Sequence, residues 1–495
     1  MTRQIMQPFP DHPSFQGFNK PSRVEADIRD LEVIGEVPSD LDGVFFRVAP
    51  DAQFPPKLGT DIPFNGDGMV SAFRFRNGRV DFKQRYVRTD KFRLERDAGK
   101  ALFGAYRNPL DDDESVKGEY RGTANTNVVV QNKKLWALKE DSPPVLMDPW
   151  TLETEGYSDL DGQMTSQTFT AHPKFDPNTG DMCAFGYAAK GLITKDMAYY
   201  EISPDNKIKH EVWFELPYYC MMHDFGLTED YACFHVVPIV GSWERLEERK
   251  PHFGFDTTKE VYLGILPRRG DAKDIRWFKA PNCFASHVMN AFNDGEMVYF
   301  DVPMARNNGF PFFPDVHGAP FNRAEAAAVM TRWAVNMNDK SDNFHSMTRL
   351  SDFVGEFPRI DDRYAAMPYR HGFMLAQDLD RPLELPNGRS MSGLMPNLLG
   401  HMDHATGKTK QYFTGTTSTL QEPAFIPRPG SVSEGDGYLV AVENVLAEHR
   451  SDLVLFDAMR IDEGPIARMP LELRLRGGLH GNWVPASMLP ENPAA

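Results

Sequence analysis

Short runs of alternating apolar and polar residues, separated by turns rich in Asp, Asn or Gly, dominate this chain. MVSAFRF-RNG-RVDFKQRYV, beginning at Met69, is the clearest case: two period-two runs joined at Asn77-Gly78 predict a β-hairpin. Units of the same kind follow: NVVVQNKKLWALKE, HPKFDPNTGDMCAFGYA, YYEISPDNKIKHEVWF, HDFGLTEDYACFHVV, HVMNAFNDGEMVYFDV, HMDHATGKTKQYF and SVSEGDGYLVAVEN. Each places a polar turn between segments containing aromatic or β-branched residues, which favour a pleated, half-buried surface. They recur at irregular intervals of tens of residues, the texture of degenerate blades rather than of a clean repeat. Helical patterning is confined to residues 94–106 and 322–335 (NRAEAAAVMTRWAV), and long loops are expected at 307–319 and 383–396, where Pro, Gly and Asn cluster. No Ser/Gly linker or charge run divides the chain, so residues 1–495 are expected to form one all-β unit. The expected form is a single β-propeller of about seven blades, with helical and loop excursions capping one face.

Composition narrows the function only by exclusion. The formal net charge of −16 argues against nucleic acid or an anionic membrane surface as partner. The N-terminal stretch MTRQIMQPFPDHPSFQGF has no apolar signal region, and no run approaches the ~18 apolar residues of a membrane span. Cys183, Cys220, Cys233 and Cys283 include no CxxC pair and suggest free buried thiols in a reducing compartment, hence a cytoplasmic protein. Gly66-Asp67-Gly68 begins a dinucleotide-like run but ends in Ser71 and opens a strand. Gly407-Lys408-Thr409 resembles the end of a phosphate loop, yet position 402 is Met rather than Gly. HExxH and GxSxG do not occur.

Four histidines stand where strands enter or leave turns: His172 in TFTAHPKFDP, His223 in CMMHDFGLTEDY, His287 in FASHVMNAFND and His480 in GGLHGNWVP. An all-imidazole donor set suits a transition metal rather than calcium or magnesium. The intervals of 51, 64 and 193 residues far exceed those of a small zinc module, so only a closed, repetitive fold brings such ligands together. A histidine at the inner end of each of several radial strands would point at a common axis. Taken singly, each is more often an ordinary hydrogen-bonding residue. Of the others, His401 and His404 form an HxxH pair expected in an exposed polar turn, and His235 is expected to pack.

These four blocks, together with FNGDGMV from Phe64 and the C-terminal HGNWVP, resemble the carotenoid cleavage oxygenase family, in particular its bacterial lignostilbene dioxygenase subgroup. The likeness runs over nearly the whole chain. It implies a seven-bladed propeller holding Fe(II) on its axis through His172, His223, His287 and His480, with O2 splitting a carbon–carbon double bond. It further implies that Glu140 (LKEDSPP), Glu356 (GEFPRI) and Glu422 (QEPAF) support the imidazoles, since a carboxylate on the far nitrogen fixes a ring's tautomer and orientation. Phe64, Tyr106 and Lys139 match the substrate trio of stilbene-cleaving members. Lys139 and the Tyr106 hydroxyl would favour the phenolate of a 4-hydroxystilbene, and Phe64 would stack on its ring. The phenolate then pushes electron density into the conjugated alkene, and two aromatic aldehydes leave without a reductant or nucleotide. Relatives of this kind also suggest a homodimer. Two other readings stay open. A carotenoid or apocarotenoid cleaver would share fold and iron but draw substrate from a membrane through an apolar entry patch, and no amphipathic segment of that kind is evident. A non-catalytic propeller binding a protein or ligand would need no axial histidines, so stoichiometric iron separates it.

Overall fold

The computed structural model of the chain describes residues 6–384 and 395–492. The described residues are built on antiparallel sheets, with helix confined to short pieces. The hairpin at Asn77-Gly78 forms as expected: Gly68–Arg76 pairs with Arg79–Tyr86, and both turn residues have positive φ, 52° and 75°. That is the twist a two-residue turn needs to match its strands.

Alternation along single strands explains how the sheets stack. All eight residues of Gly43–Pro50 are buried, because both faces of this strand meet another sheet. Val44, Phe46 and Val48 pack with Val128, Val130 and Leu135 of the next sheet. Phe45 faces the other way, toward Val440, Val442 and Leu453. Each such side chain, wholly withdrawn from water, contributes about 1.5–3 kcal/mol. The pattern continues along the chain. Trp136 and Leu138 meet Met182 and Ala184, and Phe185 and Tyr199 meet Phe225 and Phe234, which in turn reach Phe300. Met289 and Met330 meet Met374 and Met402, and Phe373 and Leu399 meet Phe425 and Leu439. Buried interfaces thus join each of these sheets to a neighbour.

Two features tie these sheets together. The 15-residue strand Ser346–Ile360 serves two partners: its first part pairs with Val329–Asn336 and its last part with His371–Ala376, so an eight-stranded sheet turns through it. At the other join, Gly481–Pro485 adds to Gly43–Pro50, while Ile34–Gly35 adds to Ala467–Pro470. N-terminal and C-terminal strands therefore share sheets.

Three expectations need correction. Residues 322–335 are not helical: 323–326 form a turn, and Val329–Asn336 is a strand between Met297–Ala305 and Ser346–Ile360. The helix expected over 94–106 instead spans Asp90–Ala98, capped by the Thr89 hydroxyl at its start and by Gly99 in the left-handed region at its end. His401 does not lie in an exposed turn. It lies within a strand, Leu398–Asp403, is 3% exposed, and lies 3.0 Å from Nδ1 of His371 through its own Nε2, while His404 begins the turn. His235 packs as expected, its Nε2 2.9 Å from the Ser286 carbonyl oxygen. The 307–319 segment is a loop, the one expected over 383–396 falls largely outside the described residues, and all four cysteines are free and buried.

Candidate metal centre

Each of the four histidines lies just before, or between, short strands at the edge of a sheet. His172 precedes Lys174–Phe175, His223 precedes Gly226–Leu227, His287 lies between Phe284–Ala285 and Asn290–Asp294, and His480 directly precedes Gly481–Pro485. One turn residue at the same end of four different sheets brings four rings together. Their candidate ligand nitrogens all lie within 4.8 Å of one another, and the rings of His172 and His480 are 4.4 Å apart. It is the one such group of three or more metal-type donors among the described residues.

Three carboxylates set the tautomers. His223 Nδ1 donates to Glu140 Oε1, His287 Nδ1 to Glu356 Oε2 at 2.6 Å, and His480 Nδ1 to Glu422 Oε1 at 3.0 Å. A carboxylate only accepts, so each Nδ1 carries the hydrogen and each Nε2 presents a lone pair. His223 Nε2 and His287 Nε2 lie 2.9 Å apart. Two lone pairs at that separation repel in the neutral rings, and a cation bound by both removes the conflict. The spacing is close to the ~3 Å expected between ligands at right angles on a metal with ~2.1 Å bonds to nitrogen. His172 has no carboxylate partner, and its buried Nε2 lacks any hydrogen bond. Burial, then the neighbouring imidazoles and Lys174, push its pKa well below the ordinary value, which keeps that ring neutral. The donor set fits a first-row transition ion.

The carboxylates are themselves held. Burial alone would raise the Glu140 pKa, but His223 and Arg107 outweigh it and hold it at about 2. Glu140 Oε2 accepts from the Tyr187 hydroxyl at 2.7 Å and from Arg107 Nη2 at 3.1 Å. Glu422 also lies below its usual range, burial being outweighed by His480 and Arg359, and its Oε2 accepts the Gly481 N–H at 3.0 Å. Glu356 accepts from the N–H of Phe357, a non-glycine residue at φ 56° whose ring stacks on His287 at 5.2 Å.

Phe64, Tyr106 and Lys139 converge beside this centre. Asp61 knots their loops: its Oδ1 accepts the N–H of Ile62 and of Tyr106, at 2.9 and 3.1 Å. Asn125 Nδ2 donates to the Phe64 carbonyl at 2.8 Å. The Phe64 and Tyr106 rings are 6.4 Å apart, and Lys139 Nζ lies 5.2 Å from the Tyr106 ring. Lys139 is 5% exposed, and its nearest oxygens are neutral: Thr126 Oγ1 at 3.3 Å and the Phe64 carbonyl at 3.5 Å. Burial lowers its pKa, Asp141 and Glu140 pull it back up, and Arg107 lowers it. Burial raises that of Tyr106, so its hydroxyl stays protonated and able to donate.

Sequence reasoning missed the rest of this wall. Phe310, Phe312 and Phe313 come from the 307–319 loop. Phe312 lies 5.5 Å from Phe64, and Phe313 stacks on Tyr106 at 6.3 Å. The signal was GFPFFPD, a loop too aromatic to lie in water. Arg107, between the trio and Glu140, was also passed over.

The retinal pigment epithelial membrane protein family matches residues 19–485. The chain is 55% identical to lignostilbene-alpha,beta-dioxygenase isozyme III of Sphingomonas paucimobilis, over 98% of this chain and 99% of that protein. It is 45% identical to an isoeugenol monooxygenase of Pseudomonas nitroreducens, over 96% and 98% of the two chains. The crystal structure of Pseudomonas brassicacearum lignostilbene dioxygenase superposes with a TM-score of 0.94 at 46% identity, covering 97% of this chain and all of that one. Sheets, four-histidine cluster and sequence thus agree, and the chain belongs to the retinal pigment epithelial membrane protein family, that of the carotenoid cleavage oxygenases.

Proposed function

We propose that the protein is a non-haem Fe(II) dioxygenase that cleaves the central double bond of 4-hydroxystilbenes with O2, giving two aromatic aldehydes. The observation that carries this reading is the juxtaposition of two arrangements: the lone-pair cluster of four imidazoles, and the buried, ion-pair-free Lys139 beside Tyr106. Its closeness in sequence to a lignostilbene dioxygenase supports the stilbene. His172, His223, His287 and His480 would hold the iron, with Glu140, Glu356 and Glu422 fixing three of the rings. Bound there, iron supplies the site at which O2 is activated.

The chain's own residues select and prepare the substrate. Phe64 and the phenylalanines of the 307–319 loop take the aromatic ring between apolar faces. Lys139 and the Tyr106 hydroxyl receive the 4-oxygen through charge-assisted hydrogen bonds and favour the phenolate. That charge enters the alkene by conjugation. Both atoms of O2 end in product, one on each carbon of the broken bond, so no reductant is consumed. Isoeugenol, named for the second relative, also carries a phenol conjugated to an alkene, and the same residues would serve it.

The metal lies on the axis of a seven-bladed propeller, on the same reading. Setting aside the two-stranded ribbon of Ile239–Gly241 and Phe253–Phe255 and counting the eight-stranded sheet as two blades gives seven, and the run of buried interfaces between sheets supports closure. The four free, buried thiols support a reducing cytoplasm.

Oxygen uptake by iron-loaded protein tests the activity: a 4-hydroxystilbene is consumed with one O2 per two aldehydes. The 4-methoxy analogue, which forms no phenolate, is inert; equal turnover of both would exclude the phenolate mechanism. Glu422→Gln weakens metal binding by about tenfold to hundredfold in a titration with Co(II), because the His480 ring loses its anionic support.

A further inference from the structure

Lys139 is followed directly by two acids, Glu140 and Asp141, and all three are buried or nearly so. A buried ammonium beside two carboxylates would ordinarily pair with one of them, leaving no charge for a ligand. Here it does not: its hydrogen-bonding oxygens belong to a threonine and a backbone carbonyl. The acids are occupied by another cation. Arg107 Nη2 lies 3.1 Å from Glu140, and its Nε lies 3.4 Å from Asp141 Oδ2. Glu140 has further partners in His223 and Tyr187, whereas Asp141 Oδ1 is buried with no hydrogen bond.

Arg107 is mounted for this task. Its guanidinium lies against the rings of Tyr187, Phe253 and Tyr106 at 5.0, 5.4 and 5.7 Å. Its backbone sits at φ 52°, a conformation that side-chain-bearing residues seldom adopt, and its carbonyl lies 3.0 Å from His252 Nδ1. His252 Nε2 is in turn 2.8 Å from the Tyr219 hydroxyl.

Resting on the phenol-binding reading of Lys139, we propose that Arg107 is a positioning residue that keeps the Lys139 ammonium free for the substrate's 4-oxygen by holding Asp141, and with it Glu140. Without Arg107, Asp141 turns to Lys139 and the ammonium is lost to an internal ion pair. Two residues adjacent in sequence to the substrate trio, Arg107 after Tyr106 and Glu140 after Lys139, thereby link the phenol end of the site to His223.

The test compares binding of 4-hydroxystilbene and unsubstituted stilbene to metal-loaded protein under argon, where no turnover occurs, by quenching of tryptophan fluorescence. Wild type prefers the hydroxyl compound by about tenfold to hundredfold, the worth of a charge-assisted hydrogen bond. Arg107→Gln brings that preference to within about threefold of unity, and adding Asp141→Asn restores it to within about threefold of wild type. A residue that merely packs would not be rescued by removing an acid. Full preference in Arg107→Gln, or none in the double variant, overturns the assignment. If Arg107→Gln does not fold, Arg107→Met, which keeps the apolar stem and removes the charge, is read in its place, with the same loss and the same rescue expected. A wild-type protein that binds both compounds equally would instead overturn the phenol reading of Lys139, and this inference with it.

Discussion

His223→Ala lowers turnover of a 4-hydroxystilbene by about a thousandfold or more and takes bound metal well below one ion per chain, the two being read together by oxygen uptake and metal analysis. The loss exceeds that of a missing donor. His223 is where Glu140 meets the cluster, and Glu140 lies buried among Arg107, Tyr187 and the imidazole. Removing the ring leaves one oxygen of that carboxylate without its donor, and a buried acceptor left unsatisfied costs about 1–3 kcal/mol, more when it is charged. His223 Nε2 is also one of the two nitrogens that face each other at 2.9 Å, so the variant relieves the very conflict that favours a cation. Thermal stability of the metal-free protein therefore falls less than that of the loaded protein, and this difference separates a ligand from a packing residue. Retention of a full complement of metal would exclude His223 as a ligand.

Lys139→Met has the second largest effect, a fall of about a hundredfold to a thousandfold in kcat/KM for a 4-hydroxystilbene, comparable to the loss of one preorganised donor at a developing oxyanion. Methionine keeps most of the volume of the buried stem, so the apolar wall around Phe64 and Tyr106 is preserved while the ammonium is lost. Metal content stays at the wild-type level, because Lys139 makes no hydrogen bond to any of the four imidazoles or their carboxylates. A wild-type rate in this variant would exclude a charge at the phenol and leave shape alone to select the substrate.

What the sequence revealed of this molecule follows the range of the forces involved. Asn77-Gly78 was legible because a two-residue turn is decided by the φ preferences of its own residues. The Asp90–Ala98 helix was partly legible, but its caps, Thr89 and Gly99, were passed over in favour of a frame several residues later. The Ala-rich stretch over 322–335 misled because propensity is a weak prior. Val329–Asn336 has a strand on either side, and two ladders of hydrogen bonds outweigh alanine's preference for helix. His401 was read from its polar neighbours, although the strand runs on to Asp403 and turns that ring inward. The four clustered histidines were suggestive by type and position, but their selection from fourteen came from likeness to a known family. Arg107 shows the limit most plainly. Its importance lies in which two acids it touches, and their nearness to it is a property of the folded chain alone.

His480 directly precedes Gly481–Pro485, the last strand of the first sheet, which pairs with Gly43–Pro50, more than four hundred residues earlier in the chain. During synthesis at about 5–20 residues per second, three imidazoles have left the ribosome long before the fourth exists. The nascent protein therefore cannot complete the four-histidine cluster until its last strand joins the first sheet.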